Sequence, residues 1–558
     1  MPRFVLATAP AAAVPLAWLL PNHYPPWTSA WQDGWALATL ALAAMCCQRR
    51  FDVPALWSAA LLVALGAIAV QSMTGLMTYG GDALMAGWYV VAFGVAIAVG
   101  IGWAGSSNVQ ARDSFIVALA GGTVVGAVAS TAIALMQWAG VTAFGMWVVD
   151  LPPSGRPFAN VAQPNHYSTI AFLGICAAAL LREMGQLRTS VFVAIAASLL
   201  WGMAVSGSRT GWLQIFALLA LAWYCGSRIP LKTGARRIAW LAAVFALFVV
   251  AWPLLAEHAD LGPARAVGEQ LQAGKRPPLW LAMVDAVWQR PWTGYGWQQV
   301  SAAQQAVATR HPPVGAHFEH SHNVVLDLLV WNGLGVGSLI LLLGAAALLR
   351  LYAGVREPRA VWLLAAVSGL LIHANLEFPL EYAYFLVPMG LFIGAIHALN
   401  TIETEPKWPA PLLPMAGVGL AAVLSVVAVD YLEAEQNHRI LRLESARIGV
   451  RAIETPAPTL RVLDQLQAFL EFARTEARPN MTAEDLQAMR RVAERFGYPP
   501  VLLRYALAAG LNGEPATAAL TLERLCLIHP RPRCDEGRIA WVSLGERYPA
   551  LRAIRYPS

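Results

Sequence analysis

Two histidines one residue apart, His320 and His322, lie in the stretch GAHFEHSHN at residues 315–323, just ahead of the apolar run VVLDLLVWNGLGVGSLILLLGAAALL. An imidazole with its ordinary pKa of about 6.5 can orient a hydroxyl or take its proton near neutral pH. Metal binding is the weaker reading, because His-Ser-His lacks the carboxylate or cysteine set of a zinc signature. Three further polar clusters carry chemistry. In SGRPFANVAQPNHYST, Gln163 and Asn165 can bind hydroxyls or a diphosphate, or Asn165 can cap the helix that follows. In SGSRT, residues 206–210, Arg209 offers a fork of donors suited to phosphate, with snorkelling to headgroups as the alternative. In KRPPLWLAMVDAVWQRPWTGYGW, Lys275 and Arg276 introduce a helix placing Trp280, Val284, Val287 and Trp288 on one face, with Trp292 a turn later. Such a face suits a membrane interface, and its two cations can meet a lipid-linked phosphate or anionic headgroups. Finally, HANLEFPLEYAYF carries His373 and Glu377 four apart on one helical face, then Glu381, Tyr382 and Tyr384.

These groups must be held by membrane-spanning helices. The chain has 558 residues, 57% hydrophobic and only 13% charged, with a mean hydropathy of +0.52. Many apolar runs approach the roughly 20 residues that cross a bilayer. Lipid cannot satisfy an open sheet, so the fold is all-α, a polytopic transmembrane bundle. About thirteen spans are expected, centred near residues 12, 42, 63, 93, 126, 174, 198, 218, 247, 336, 367, 391 and 420. The segments bearing Arg49 and Arg50, Arg112, Arg182 and Arg188, Arg228 to Arg237, and Arg350 to Arg359 then fall on one side, the cytoplasm. The first run is read as an anchor rather than a cleaved signal, since another span follows closely and no small-x-small site marks its end. This topology exports loops at about 139–166 and 257–321 and the tail after 430, and places the four polar clusters on the outer side. The formal charge of +6 is mostly accounted for by the inward loops and calls for no nucleic-acid partner. A transporter would instead place ionisable groups at mid-span and show symmetry between halves.

After Asp430 the composition becomes charged and helix-periodic, so residues 1–430 read as the membrane core and 431–558 as a soluble helical domain. Thr482 and Asp485 form the pattern of a capping box for a helix through Arg495 that Gly497 would end, and Glu514-Pro515 opens another. PPVLLRYALAAGLNGEPATAALTLERLCLIHP reads as one antiparallel helix pair of tetratricopeptide type. In an exported tail, Cys526 and Cys534, eight positions apart, can close a disulfide.

Taken in order, RPFANVAQPNHYST, SGSRTGW, KRPPLWLAMVDAVWQRPWTGYGW and HSHNVVLDLLVWNGLGVG resemble the bacterial O-antigen ligase and Wzy-polymerase superfamily. The strongest likeness is to its protein O-oligosaccharyltransferase branch, the PglL-type pilin glycosylation ligases. The resemblance implies a GT-C-like membrane glycosyltransferase in the bacterial inner membrane, with its active site and helical tail facing the periplasm. It implies transfer of an oligosaccharide from undecaprenyl diphosphate to a Ser or Thr hydroxyl of a pilin-like acceptor, without cofactor or obligatory metal. It further implies His322 as the essential histidine, Arg209 and Arg276 as donor-diphosphate ligands, and Gln163, Asn165, His320, Tyr382 and Tyr384 as substrate-binding candidates. Ligation to lipid A core and polymerisation of repeat units stand as alternatives within the superfamily.

Overall fold

A computed structural model describes residues 2–141, 143–151, 155–258, 274–400, 408–446 and 456–557. Parts of both expected outer loops, residues 142, 152–154 and 259–273, lie outside the described residues. The described chain is helical, with no strand and a single isolated bridge between Phe51 and Trp408. All thirteen expected span centres fall inside helices. Seven of these helices are long and apolar enough to cross a membrane: α3 (Ala55–Met73), α4 (Gly80–Ala104), α5 (Val109–Trp138), α9 (Ala235–His258), α12 (Val324–Ala353), α14 (Ala383–Asn400) and α15 (Leu412–Ser445). Three more centres lie in shorter apolar helices, at Thr8–Leu19, Thr189–Val205 and Pro358–Ala374. The remaining three lie in α2 (Ala30–Met45), α6 (Pro164–Glu183) and α8 (Arg209–Gly226). Of these α2 has only 16 residues, whereas α6 opens on PNHYST and α8 on RTGWLQ, and such polar first turns lower the apolar content.

The chain divides into two compact units. The first comprises Met1–Leu61, Trp88–Gln272 and Leu343–Ser425. Its core is built from α5, α6 and α13 (Pro358–Ala374), whose Phe115, Tyr167, Phe172 and Trp362 are fully buried. The second comprises Leu62–Gly87, Ala273–Leu342 and Val426–Ser558, so the tail is grouped with the segment that carries the two histidines. Asp430, where the composition changes, lies inside the continuous 34-residue α15. Its buried carboxylate accepts from the backbone of Val462 and Leu463, at 2.6 and 3.2 Å.

The tail helices follow local sequence rules. Thr482 and Asp485 form the reciprocal capping box of α17 (Ala483–Arg495). Helices α18 (Pro499–Leu511) and α19 (Pro515–Ile528) pack as a pair, and each begins with proline in its first turn. Cys526 and Cys534 are joined by a disulfide, with their Cα atoms 4.7 Å apart. Asp464, the first residue of α16 (Asp464–Arg474), accepts from Gly81 N at 2.7 Å and Gly80 N at 3.0 Å. A tail carboxylate thus satisfies backbone donors at the head of α4, where the helix dipole favours negative charge.

Candidate active site

The histidine loop is fixed from both ends. Asn323 begins α12 as a cap, its Oδ1 accepting from Leu326 N at 3.0 Å. From the first turn of that helix Asp327 reaches back to Ser321 N at 2.7 Å. The sequence SHNVVLD therefore closes on itself and leaves His322 at the corner, with φ of +59°. Left-handed backbone costs a non-glycine residue about 1–2 kcal/mol, and histidine is among the types that tolerate it best. The His322 ring is half-buried and meets Phe318 edge-on at 5.3 Å.

Helix α10 (Arg276–Gln289) runs alongside this loop. Lys275 Nζ donates to Gly315 O at 2.5 Å, and Trp280 Nε1 donates to Ser321 O at 2.8 Å. Arg276, the first residue of α10, is thereby on the element that grips the loop at both ends. The outward apolar face of α10 differs from the expected one: Leu281, Val284 and Trp288 are exposed, as is Trp292 just past the helix, whereas Val287 is buried and Trp280 turns to the loop. The face rotates because Leu279, Ala282, Met283 and Ala286 fill the core side.

The glycines of PWTGYGW and WNGLG interlock behind the loop. Helix α12 is broken at Gly333 (φ +69°), where Leu334 N donates to Pro291 O at 2.6 Å. A Cβ at Gly333 would lie 2.6 Å from Pro291 O, and one at Gly294 would lie 2.5 Å from Trp331 O. Only glycine allows this close crossing of backbones.

The tail closes the other side of the loop. Tyr498 Oη donates to the Glu319 carboxylate at 2.6 Å, and His317 Nε2 meets Ser301 Oγ at 2.9 Å. Gln304 holds the loop through Ala316 O and Phe318 N, at 2.9 and 3.0 Å. Arg495 forms a two-point ion pair with the buried Asp82, at 2.8 and 3.1 Å. Burial pushes the imidazoles of His317 and His320 down to about 4 each, against the neighbouring Glu319 charge that would raise them.

The first unit gathers a second set of candidates. Gln163, not Asn165, caps α6, its Oε1 accepting from His166 N at 2.9 Å ahead of Pro164 in the first turn. Asn165 is left to bridge, donating to Glu377 at 2.8 Å and accepting from Ser208 Oγ at 2.7 Å. Ser208 immediately precedes Arg209, the half-buried first residue of α8. The buried His166 Nδ1 meets Tyr384 Oη at 2.9 Å, and its ring lies 4.8 Å from that of Tyr382. His373 Nδ1 meets Thr169 Oγ1 at 2.9 Å. Arg156, at the head of the RPFANVAQPNHYST motif, donates to Gly207 O at 2.9 Å, next to Ser208.

Gln163, Asn165, Arg209, Tyr382 and Tyr384 are thus in the first unit, whereas Arg276, His320 and His322 are in the second. The supports of the histidine loop, Trp280, Glu319, Asp327 and Tyr498, are not marked as such by residue type or motif in the sequence. Only Asp327 left a local signal, an acid in the first turn after Asn323.

Residues 192–342, which include Arg209, Arg276 and both loop histidines, match the family described as O-antigen ligase. Residues 360–538 match the family described as virulence factor membrane-bound polymerase, C-terminal. The chain is 29% identical to a general O-oligosaccharyltransferase of Acinetobacter baylyi, over 95% of this chain and 93% of that protein. It is 30% identical to a ComP-specific O-oligosaccharyltransferase of the same organism, over 44% of this chain and 45% of that protein. Both family matches follow in order along one chain of membrane helices, and the likeness to an O-oligosaccharyltransferase runs over almost its whole length, so the protein is similar throughout to the O-oligosaccharyltransferase branch of the O-antigen ligase superfamily.

Proposed function

We propose that this membrane glycosyltransferase moves an oligosaccharide from undecaprenyl diphosphate to a Ser or Thr hydroxyl of a pilin-like acceptor protein, on the periplasmic face of the bacterial inner membrane. The observation that carries this reading is the likeness to a general O-oligosaccharyltransferase over 95% of the chain. The acceptor oxygen attacks the anomeric carbon, and the bond from that carbon to the phosphate oxygen breaks with its electron pair going to the lipid diphosphate. His322 takes the hydroxyl proton. Arg209 and Arg276 hold the diphosphate, whose charge grows as the bond breaks and which fixed cations stabilise best at that moment. Gln163, Asn165, His320, Tyr382 and Tyr384 take the polar groups of the substrates. No step draws on a metal or organic cofactor.

Direct displacement inverts the anomeric centre. Reconstitution in liposomes with a polyprenyl-diphosphate oligosaccharide and purified pilin tests the scheme, with the linkage of the product read by NMR. Glycosylated pilin of inverted configuration is expected. Retained configuration would exclude direct displacement, and glycan movement across the bilayer without any transfer would indicate a transporter.

A further inference from the structure

The second unit contains a cleft of about 770 Å³ that none of the roles above uses. One wall is Gly75, Leu76 and Thr78 with Arg290 and Tyr295, and another is the short helix α11 (Val300–Val307) with the preceding Gln299. The rest is formed by α17, α18 and α19 of the tail. Its polar lining is rich in donors. Arg290, Arg490, Arg495 and Arg524 line it together with Glu494 and Glu514. Arg490 is paired with Glu494 at 2.8 Å and Arg495 with Asp82. Among the described residues Arg524 makes no ion pair and its buried Nε has no hydrogen-bond partner, while the Arg290 guanidinium lies over the Tyr295 ring.

Gln299 is more telling. It is only 4% exposed, and its buried Nε2 has no hydrogen-bond partner among the described residues. A buried amide N–H left unmade is costly, so a site that keeps one is shaped for something that accepts. Leu486, Leu502, Leu520 and Tyr505 add apolar wall, and the volume is that of a ligand pocket.

We propose that this cleft binds an acidic segment of the acceptor polypeptide, an inference that rests on the protein-glycosylating reading above. Backbone carbonyls of the segment satisfy Gln299, and an Asp or Glu carboxylate meets Arg524 and Arg290. A polypeptide is favoured over a lipid headgroup because three of the lining helices belong to the soluble tail. The cleft is also built onto the histidine loop. Helix α11 lines it with Ala302, Gln305 and Ala306, while Ser301 and Gln304 of the same helix hold His317, Ala316 and Phe318. Gln305 ties that helix to the carbonyls of Ala493 and Glu494 in α17. A segment seated there is registered against the loop that carries His322.

The test uses the full chain in nanodiscs, with two readouts. The first is anisotropy of a fluorescent serine peptide flanked by aspartates, against the same peptide with lysines. The second is acceptor and donor KM in glycan transfer. Arg524→Glu and, separately, the more exposed Arg290→Glu should each weaken the aspartate peptide by about tenfold. They should raise acceptor KM similarly while donor KM stays put, and the lysine peptide should regain binding to the reversed variants. Gln299→Leu should raise acceptor KM without lowering the melting temperature, which a purely structural glutamine would not do. Unmoved peptide binding and acceptor KM would overturn the assignment. So would loss of binding to phosphatidylglycerol vesicles alone, which would give the cleft to headgroups. Absence of any transfer by the wild type, with the aspartate peptide still bound, would instead sink the protein-glycosylating reading and leave a peptide site of other purpose.

Discussion

At the scale of single residues, the left-handed backbone of His322 separates chemistry from stability. If the imidazole is kept for function, His322→Gly should abolish transfer while leaving thermal stability equal or higher, because glycine removes the cost of positive φ. Loss of both activity and stability would mean that the ring mainly holds the loop. His317 and His320 supply a pH prediction. Both are held down to about 4 by burial, whereas an unfolded histidine titrates near about 6.5. Between these values the unfolded chain binds protons that the folded chain refuses, so stability present above about pH 6.5 is lost as the pH falls toward 4. Melting curves across this range should show the decline, and His320→Asn should flatten part of it. Residue types and local spacing made the candidate chemistry legible, since His, Arg, Gln and Asn clusters stand out against apolar runs. The support of the loop was not, because Trp280 lies 41 positions from Ser321 and Tyr498 lies 179 from Glu319. No sequence window holds both partners of such a bond.

At the scale of elements, local rules were read well and facing was read less well. The capping box at Thr482 is written within four residues and is observed. The choice between Gln163 and Asn165 as the cap of α6 depended on Ser208 and Glu377, which draw Asn165 away. The outward face of α10 likewise depended on the core that Leu279 and Met283 find. Two substitutions probe the elements behind the loop. Gly333→Ala places a Cβ against Pro291 O and strains a φ of +69°, and should destabilise by more than about 1 kcal/mol. Asp82→Asn leaves Arg495 without its buried partner and should cost on the order of 3 kcal/mol. Thermal unfolding of the detergent-solubilised protein checks both, and unchanged melting would show that neither contact is needed.

At the scale of the whole molecule, the amount of apolar sequence established a helical membrane protein, and all thirteen expected centres fall in helices although, among the described residues, seven helices meet the length and composition of a span. The change of composition at Asp430 marked where charge begins, but α15 continues through it. Helix propensity is indifferent to that change, so composition and helix boundary part company there. The central claim is that the protein transfers a lipid-carried glycan to a protein hydroxyl through His322. It is tested most directly by offering a polyprenyl-diphosphate oligosaccharide with purified pilin and, in parallel, with lipid A core, to wild type and His322→Ala. Glycosylated pilin from wild type and none from the variant is the predicted result. Glycosylated lipid A core without a pilin product, or full pilin transfer by the variant, would contradict it.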